Sequence, residues 1–180
     1  RGLGDVYKRQ LAQIQESGKL KVGVEGTYPP YTYHDDNGEL TGFDVEVAKA
    51  IADKLGVEAD FTESDWDYLL AGIDSGRLDT VINAVSITPE REEKYDFAGP
   101  YFYITQQIVV AKDNDDIVDM ASLDGKKVAN TATTAYLDIL EDAGASLVQI
   151  STADEAVSLI ESGRADFTTF NSVVFNEYLQ

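Results

Sequence analysis

The chain has 180 residues, with 14 Lys and Arg against 33 Asp and Glu, and a formal net charge of −19. That balance argues against nucleic acid and anionic membranes as partners, since both call for a basic face. The absence of cysteine excludes disulfides, thiolate zinc sites and cysteine nucleophiles, and 43% hydrophobic residues is too many for a disordered acidic tail.

The first ten residues are basic in an acidic chain and lack periodicity, so 1–10 reads as a non-native leader and the fold is expected to start near Leu11. Leu11–Ser17 predicts a short helix closed by Gly18, and the alternation of Leu20–Glu25 predicts a strand. Pro29 and Pro30 make 26–31 a stiff loop. Asp35-Asp-Asn-Gly38 is a hairpin turn signal. A helix is expected over Asp44–Leu55, with Val47, Ile51 and Leu55 on one face and Gly56 as its stop. Val57–Thr62 follows as a strand. Asp65 is placed to cap a helix running to Ser75, and Leu78–Val85 reads as another strand.

Thr88-Pro89-Glu90 is a helix start with a hydroxyl cap, a first-position proline and an acid in the first turn. Strand-like stretches at Tyr101–Tyr103 and Gln106–Lys112 lead into an acidic connection, Asp113–Asp119. Then come a strand at Lys126–Asn130, a Thr-rich turn, a helix at Thr134–Asp142 and a strand at Leu147–Ile150. Thr152-Ala-Asp-Glu155 matches a capping box for a helix that ends at Gly163. A strand at Asp166–Phe170 and a helix at Ser172–Leu179 complete an α/β order with mostly parallel sheets. One internal echo stands out: Ile73-Asp-Ser-Gly-Arg-Leu-Asp79 recurs as Ile160-Glu-Ser-Gly-Arg-Ala-Asp166. Two similar α/β lobes explain it, with ligand groups expected at the carboxyl ends of their strands.

Catalytic and metal patterns are weak. His34, the one histidine, sits beside a hairpin turn with no nucleophile placed for it. Asp113-Asn-Asp-Asp116 lacks the later Gly and Glu of a calcium loop. No glycine-rich phosphate loop occurs, and no metal or cofactor is expected. A recognition set remains. Arg91 lies near a helix start and offers a planar fork that fits a carboxylate. Thr131-Ala-Thr-Thr134 offers further donors. Tyr28, Tyr31 and Trp66 lie in loops or first turns, where an aromatic ring can meet a ligand.

These residues carry a family resemblance. Val22-Gly-Val-Glu-Gly-Thr-Tyr-Pro-Pro-Tyr31, Leu40-Thr-Gly-Phe-Asp-Val-Glu-Val47, Trp66-Asp-Tyr-Leu-Leu-Ala-Gly72, Ile87-Thr-Pro-Glu-Arg91, Tyr95-Asp-Phe-Ala-Gly-Pro-Tyr101, Leu123-Asp-Gly-Lys-Lys-Val128 and Gly163-Arg-Ala-Asp166 resemble the solute-binding proteins of polar amino acid ABC transporters, family 3. Glu25-Gly-Thr-Tyr28 and Gly42-Phe-Asp-Val-Glu46 look most like the cystine-binding branch. The resemblance covers Leu11 to Gln180. It implies a two-lobe periplasmic-binding-protein-like (type II) α/β fold, closing on its ligand like a jaw. Lobe 1 would span 11–104 and lobe 2 would span 105–180. Family members continue past the position of Gln180, so the chain looks C-terminally truncated.

The resemblance also implies roles. Arg91 grips the ligand α-carboxylate with Ser86 and Thr134. Ala84 offers its carbonyl to the α-amino group. Tyr28 and Trp66 sandwich the ligand side chain, and Glu25 and Thr131 line its far end. Asn171 stands where the family usually carries an Asp that pairs with the α-ammonium, so either Glu25 supplies that charge or the ligand lacks an ordinary ammonium. The implied protein is a monomeric, non-enzymatic carrier outside the cytoplasm. It would deliver a polar amino acid, cystine among the options, to ABC transporter membrane subunits. A lipid anchor upstream of Leu11 is one arrangement in a longer parent. The alternatives are the sensor domain of a signalling protein and a cyclohexadienyl-dehydratase-like enzyme.

Overall fold

The computed structural model describes residues 3–178, with side-chain surroundings for 8–176. The chain divides into two compact units, Arg1–Val85 and Ser86–Gln180. The first holds α1 (Leu3–Ser17), β1 (Lys19–Val24), β2 (Tyr33–His34), β3 (Leu40–Thr41), α2 (Phe43–Leu55), β4 (Glu58–Glu63), α3 (Trp66–Asp74) and β5 (Thr80–Val81). The helix expected from Leu11 thus begins at Leu3. Of its residues 8–17 only Ile14 is buried.

The sheet order is β4-β1-β5, all parallel, with β2 and β3 as a separate antiparallel hairpin. Leu20, Val22 and Val24 of β1 form the core with Ile14, Ala48, Ala52 and Ile82. The stripe that α2 buries is Val45, Ala48 and Ala52, together with Asp44. The expected face is corrected accordingly: Ile51 is 41% exposed, and Val47 and Leu55 only flank the core. Alanines at the contact let the helix backbone approach the sheet more closely than the larger side chains would. Asp65 occupies the cap position of α3 without a side-chain cap hydrogen bond. β5 is far shorter than the expected Leu78–Val85, and beyond it Ala84 turns the chain with a positive φ of 49°.

The second unit holds α4 (Pro89–Glu92), β6 (Gln106–Val110), a 3-10 turn at Met120–Leu123, β7 (Lys127–Asn130), α5 (Leu137–Asp142), β8 (Ser146–Gln149), α6 (Ala153–Glu161), β9 (Phe167–Asn171) and α7 (Ser172–Tyr178). Its sheet runs β6-β9-β7-β8, with β6 antiparallel to β9 and the other pairs parallel. Leu123, Val128, Leu140, Ala145 and Phe167 form its core. Residues 86–104 lie in this unit, within which Arg91 Nη2 donates to the Thr133 carbonyl at 2.8 Å. Tyr101–Tyr103 forms no strand, and Tyr103 is 88% exposed. At α6, Thr152 caps the Glu155 N–H as expected, but the Glu155 carboxylate accepts from Ser151 N–H, one residue earlier than a capping box requires. Among the described residues no helix is long and apolar enough to cross a membrane.

The sequence echo is a structural repeat. Gly76 and Gly163 stop their helices at φ of 71° and 69°. In each copy the following Asp pairs twice with one lysine of a central strand. Asp79 N–H donates to the Lys21 carbonyl at 2.9 Å, and its carboxylate accepts Lys21 N–H at 2.9 Å. Asp166 N–H donates to the Lys127 carbonyl at 2.8 Å, and its carboxylate accepts Lys127 N–H at 2.7 Å. Each aspartate thereby sets the register at which β5 or β9 joins its neighbour. Asp79→Ala and Asp166→Ala should each cost about 1–3 kcal/mol, the worth of a charge-assisted hydrogen bond. Asn at either position should recover part of it, as measured by urea unfolding.

Candidate functional site

The polar groups of the first unit gather where the parallel strands end, the edge at which α/β sheets take ligands. Glu25 follows the last residue of β1. Its N–H donates to Asn83 Oδ1 at 2.8 Å, and Asn83 Nδ2 donates back to Glu25 Oε2 at 2.7 Å. The hydroxyl of Thr32 donates to the same Asn83 oxygen at 2.9 Å and accepts Gly26 N–H at 3.2 Å. Asn83 and Thr32 are both buried. Glu25 is half-buried, and its carboxyl is pushed up to about 7 from an ordinary 4.5. Burial is the main cause, opposed by the Asn83 hydrogen bond and reinforced by the charges of Asp65 and Asp67.

Those two aspartates flank Trp66, the first residue of α3, so the start of this helix lies within electrostatic range of Glu25. Tyr28 is half-buried and rests against Tyr31, with ring centroids 5.4 Å apart. Tyr31 itself is buried in the core, so it buttresses Tyr28 and does not present a face to a ligand, as its loop position had suggested. Ala84 N–H donates to the buried carboxylate of Asp44. His34 is exposed; its Nδ1 lies 3.2 Å from the Gly26 carbonyl and its Nε2 3.2 Å from Glu63, with no nucleophile in that arrangement.

The second unit brings Ser86, Arg91, Thr131 and Thr134 to the end of β7. Thr88 caps α4 by accepting Arg91 N–H at 3.3 Å, which fixes the base of the arginine. The guanidinium donates through Nη1 to the Ser86 carbonyl at 2.9 Å and through Nη2 to the Thr133 carbonyl at 2.8 Å. It is half-buried, and desolvation lowers its pKa from the ordinary value against the raising effect of Glu90 and Tyr136. Tyr136 also places its hydroxyl 3.4 Å from that of Ser86. Thr131 N–H is bonded to Asn130 Oδ1 at 2.9 Å. Thr134 does not start a helix: it closes a turn onto Thr131, and α5 begins at Leu137. Asn171 is buried at the end of β9, where its Oδ1 accepts Val173 N–H at 3.0 Å and Val174 N–H at 2.9 Å and so caps α7.

Nothing local in the sequence marks Asn83, Thr32, Asp44 or Tyr136 for these contacts, since Glu25, Asn83, Ala84 and Ser86, their respective partners, lie far along the chain. Among the described residues no cluster of His, Asp and Glu could hold a metal ion.

The profile of the bacterial extracellular solute-binding proteins, family 3, matches residues 20–158. The chain is 41% identical over 178 residues to the L-cystine-binding protein TcyA of Bacillus subtilis (strain 168), covering 98% of this chain and 65% of that protein. It is 47% identical over 127 residues to the L-cystine-binding protein TcyJ of Escherichia coli (strain K12), covering 70% of this chain and 48% of that one. The chain therefore spans less than two thirds of the length of either relative. Among solved structures, it is similar to the ancestral amino acid-binding protein AncCDT-1, a precursor of cyclohexadienyl dehydratase. The TM-score is 0.86 at 36% identity, over 94% of this chain and 77% of that one. An ancestral arginine-binding protein bound to arginine gives 0.83 at 39% identity, over 90% and 73%.

The elevated Glu25 carboxyl has a measurable consequence. Between pH 4.5 and about 7 the folded chain keeps a proton that the unfolded chain has lost, so stability falls as pH rises through that window and then levels. Glu25→Gln removes this loss while keeping an acceptor for Asn83. The variant should match the parent near pH 5 and exceed it at pH 8 by at most about 3 kcal/mol in chemical unfolding. An equal difference at both pH values would show that the carboxyl is not elevated.

Proposed function

Because this chain belongs to the bacterial extracellular solute-binding proteins, family 3, we propose that the protein of which it is part captures a polar amino acid outside the cytoplasm and hands it to the membrane subunits of an ABC importer. The observation that carries the proposal is chemical complementarity. The second unit supplies a capped, half-buried arginine fork with hydroxyls beside it, suited to a carboxylate. The first supplies an acid, carbonyls and an aromatic ring, suited to an ammonium and a side chain. An amino acid carries all of these groups.

In this proposal Arg91 takes the α-carboxylate with help from Ser86 and Thr134. Ala84 and Glu25 serve the ammonium, Tyr28 and Trp66 the side chain, and Thr131 its far end. Asn171, with its oxygen committed to α7, adds an amide and no charge, so the negative charge falls to Glu25. Names of relatives point to cystine and arginine as first candidates. The protein acts by binding, with selective stabilisation of the ligand-bound conformation, and turnover of arogenate or prephenate is not expected.

A thermal-shift panel of the natural amino acids and L-cystine tests the proposal, since a ligand of the folded state raises the melting temperature by mass action. One or a few polar members should shift the melt. Arg91→Ala should weaken binding of the best ligand by ~2–5 kcal/mol, because a desolvated carboxylate is left unpaired. A dissociation constant close to the parent's in that variant, measured by calorimetry, would reject the arginine assignment.

A further inference from the structure

Ala84 is the one non-glycine residue with a positive φ, 49°, among the described residues. Left-handed backbone at a residue with a Cβ is unfavourable and persists where its surroundings enforce it. The enforcement is visible. Ala84 N–H is bonded to Asp44 Oδ2, which pins the peptide plane between Asn83 and Ala84. On the other side of that plane, Asn83 is held through its side chain to Glu25 N–H and to the Thr32 hydroxyl. The rotation at Ala84 is therefore taken from a plane fixed at both ends.

Asp44 is fully buried in the first turn of α2. Its own N–H donates to the Tyr31 carbonyl at 3.0 Å, and Phe43 N–H donates to the Pro30 carbonyl at 3.0 Å. Gly42, at φ 122°, makes this approach possible, because a Cβ there would run into the Tyr31 carbonyl. Asp44 thus joins the loop that carries Tyr28 to the segment that carries Ala84. A buried carboxyl is costly unless hydrogen-bonded, and here Oδ2 accepts the Ala84 N–H.

We propose that Asp44 is a positioning residue: by holding Ala84 N–H and the Tyr31 carbonyl at once, it sets the left-handed turn after β5 and fixes that turn against the Tyr28 loop. The consequence for affinity rests on Ala84 and Tyr28 being ligand residues. The consequence for the backbone does not.

The test uses the whole chain with Asp44→Ala, Asp44→Asn, Ala84→Gly and the Asp44→Ala/Ala84→Gly double variant. The first arm needs no ligand. Backbone NMR should show a change in the Ala84 amide proton and carbon shifts and faster amide exchange in Asp44→Ala. The shifts of Val128 and Phe167, in the other unit, should stay in place. Asp44→Asn, which keeps an oxygen acceptor, should restore part of the parent pattern. Unchanged Ala84 shifts and exchange in Asp44→Ala would overturn the proposal. If Asp44→Ala does not fold, the Asp44→Ala/Ala84→Gly double variant decides the same arm: recovery of a folded spectrum supports the positioning role, because glycine adopts the turn unaided, and a double variant that also fails to fold overturns it.

The second arm is calorimetry with L-cystine and L-arginine. In a chain that binds either probe, Asp44→Ala should weaken binding on the order of tenfold. The loss should shrink in the Ala84→Gly background, where glycine adopts the turn unaided. A loss of stability with unchanged affinity would leave Asp44 a structural residue only and reject its role for the ligand. If the parent binds neither probe, the first arm alone decides the positioning role, and the failure belongs to the proposed function.

Discussion

A single buried amide organises the carboxyl edge of the first sheet. Asn83 accepts from the Glu25 backbone and from Thr32, and donates to the Glu25 side chain. Strands stop pairing where the chain must turn, and the groups left behind need partners, because an unpaired buried donor or acceptor is costly. Asn83 meets that need for β1 and the loop after it with one side chain. The same bonds hold a carboxyl in a place where burial opposes its charge. A fixed acid of elevated pKa is thus a by-product of satisfying the backbone.

The second unit solves a related problem with an arginine. Capping by Thr88 roots Arg91, and two carbonyls receive its fork. Those carbonyls hold the guanidinium in place without neutralising it. A carboxylate offered to such a group meets a preorganised donor whose desolvation is already partly paid. At the opposite edge of each sheet, the repeated Asp79 and Asp166 clamps anchor the strands. Each unit is therefore pinned by an aspartate at one edge and by a side-chain network at the other.

Departures from the expected elements follow one rule. Where local chemistry was decisive, as with the Gly56 stop of α2 and the Thr88 and Thr152 caps, the elements stand as read. Where a distant partner decided, they moved. α2 buries its alanine stripe, because a sheet set close against it favours small side chains over Ile51. β5 is confined to Thr80–Val81, and three residues on, Ala84 takes a positive φ with its N–H bonded to Asp44. Tyr31 goes to the core and leaves Tyr28 as the ring resting upon it.

Periodicity, glycine stops and ordered motifs were enough to determine the α/β class, the repeat of helix stop and strand entry, and the family. Arg91 was marked by its place near a helix start, and Glu25 by the family resemblance alone. What only the tertiary structure decided is the state and support of those residues. The elevation of Glu25 depends on burial and on Asp65 and Asp67, the commitment of Asn171 to α7 depends on how the chain leaves β9, and the Ala84 N–H finds its acceptor in a carboxyl forty positions earlier. Sequence records which groups exist. Hydrogen bonds between residues far apart in the chain, formed only when the sheets assemble, decide which of those groups are charged, capped or turned.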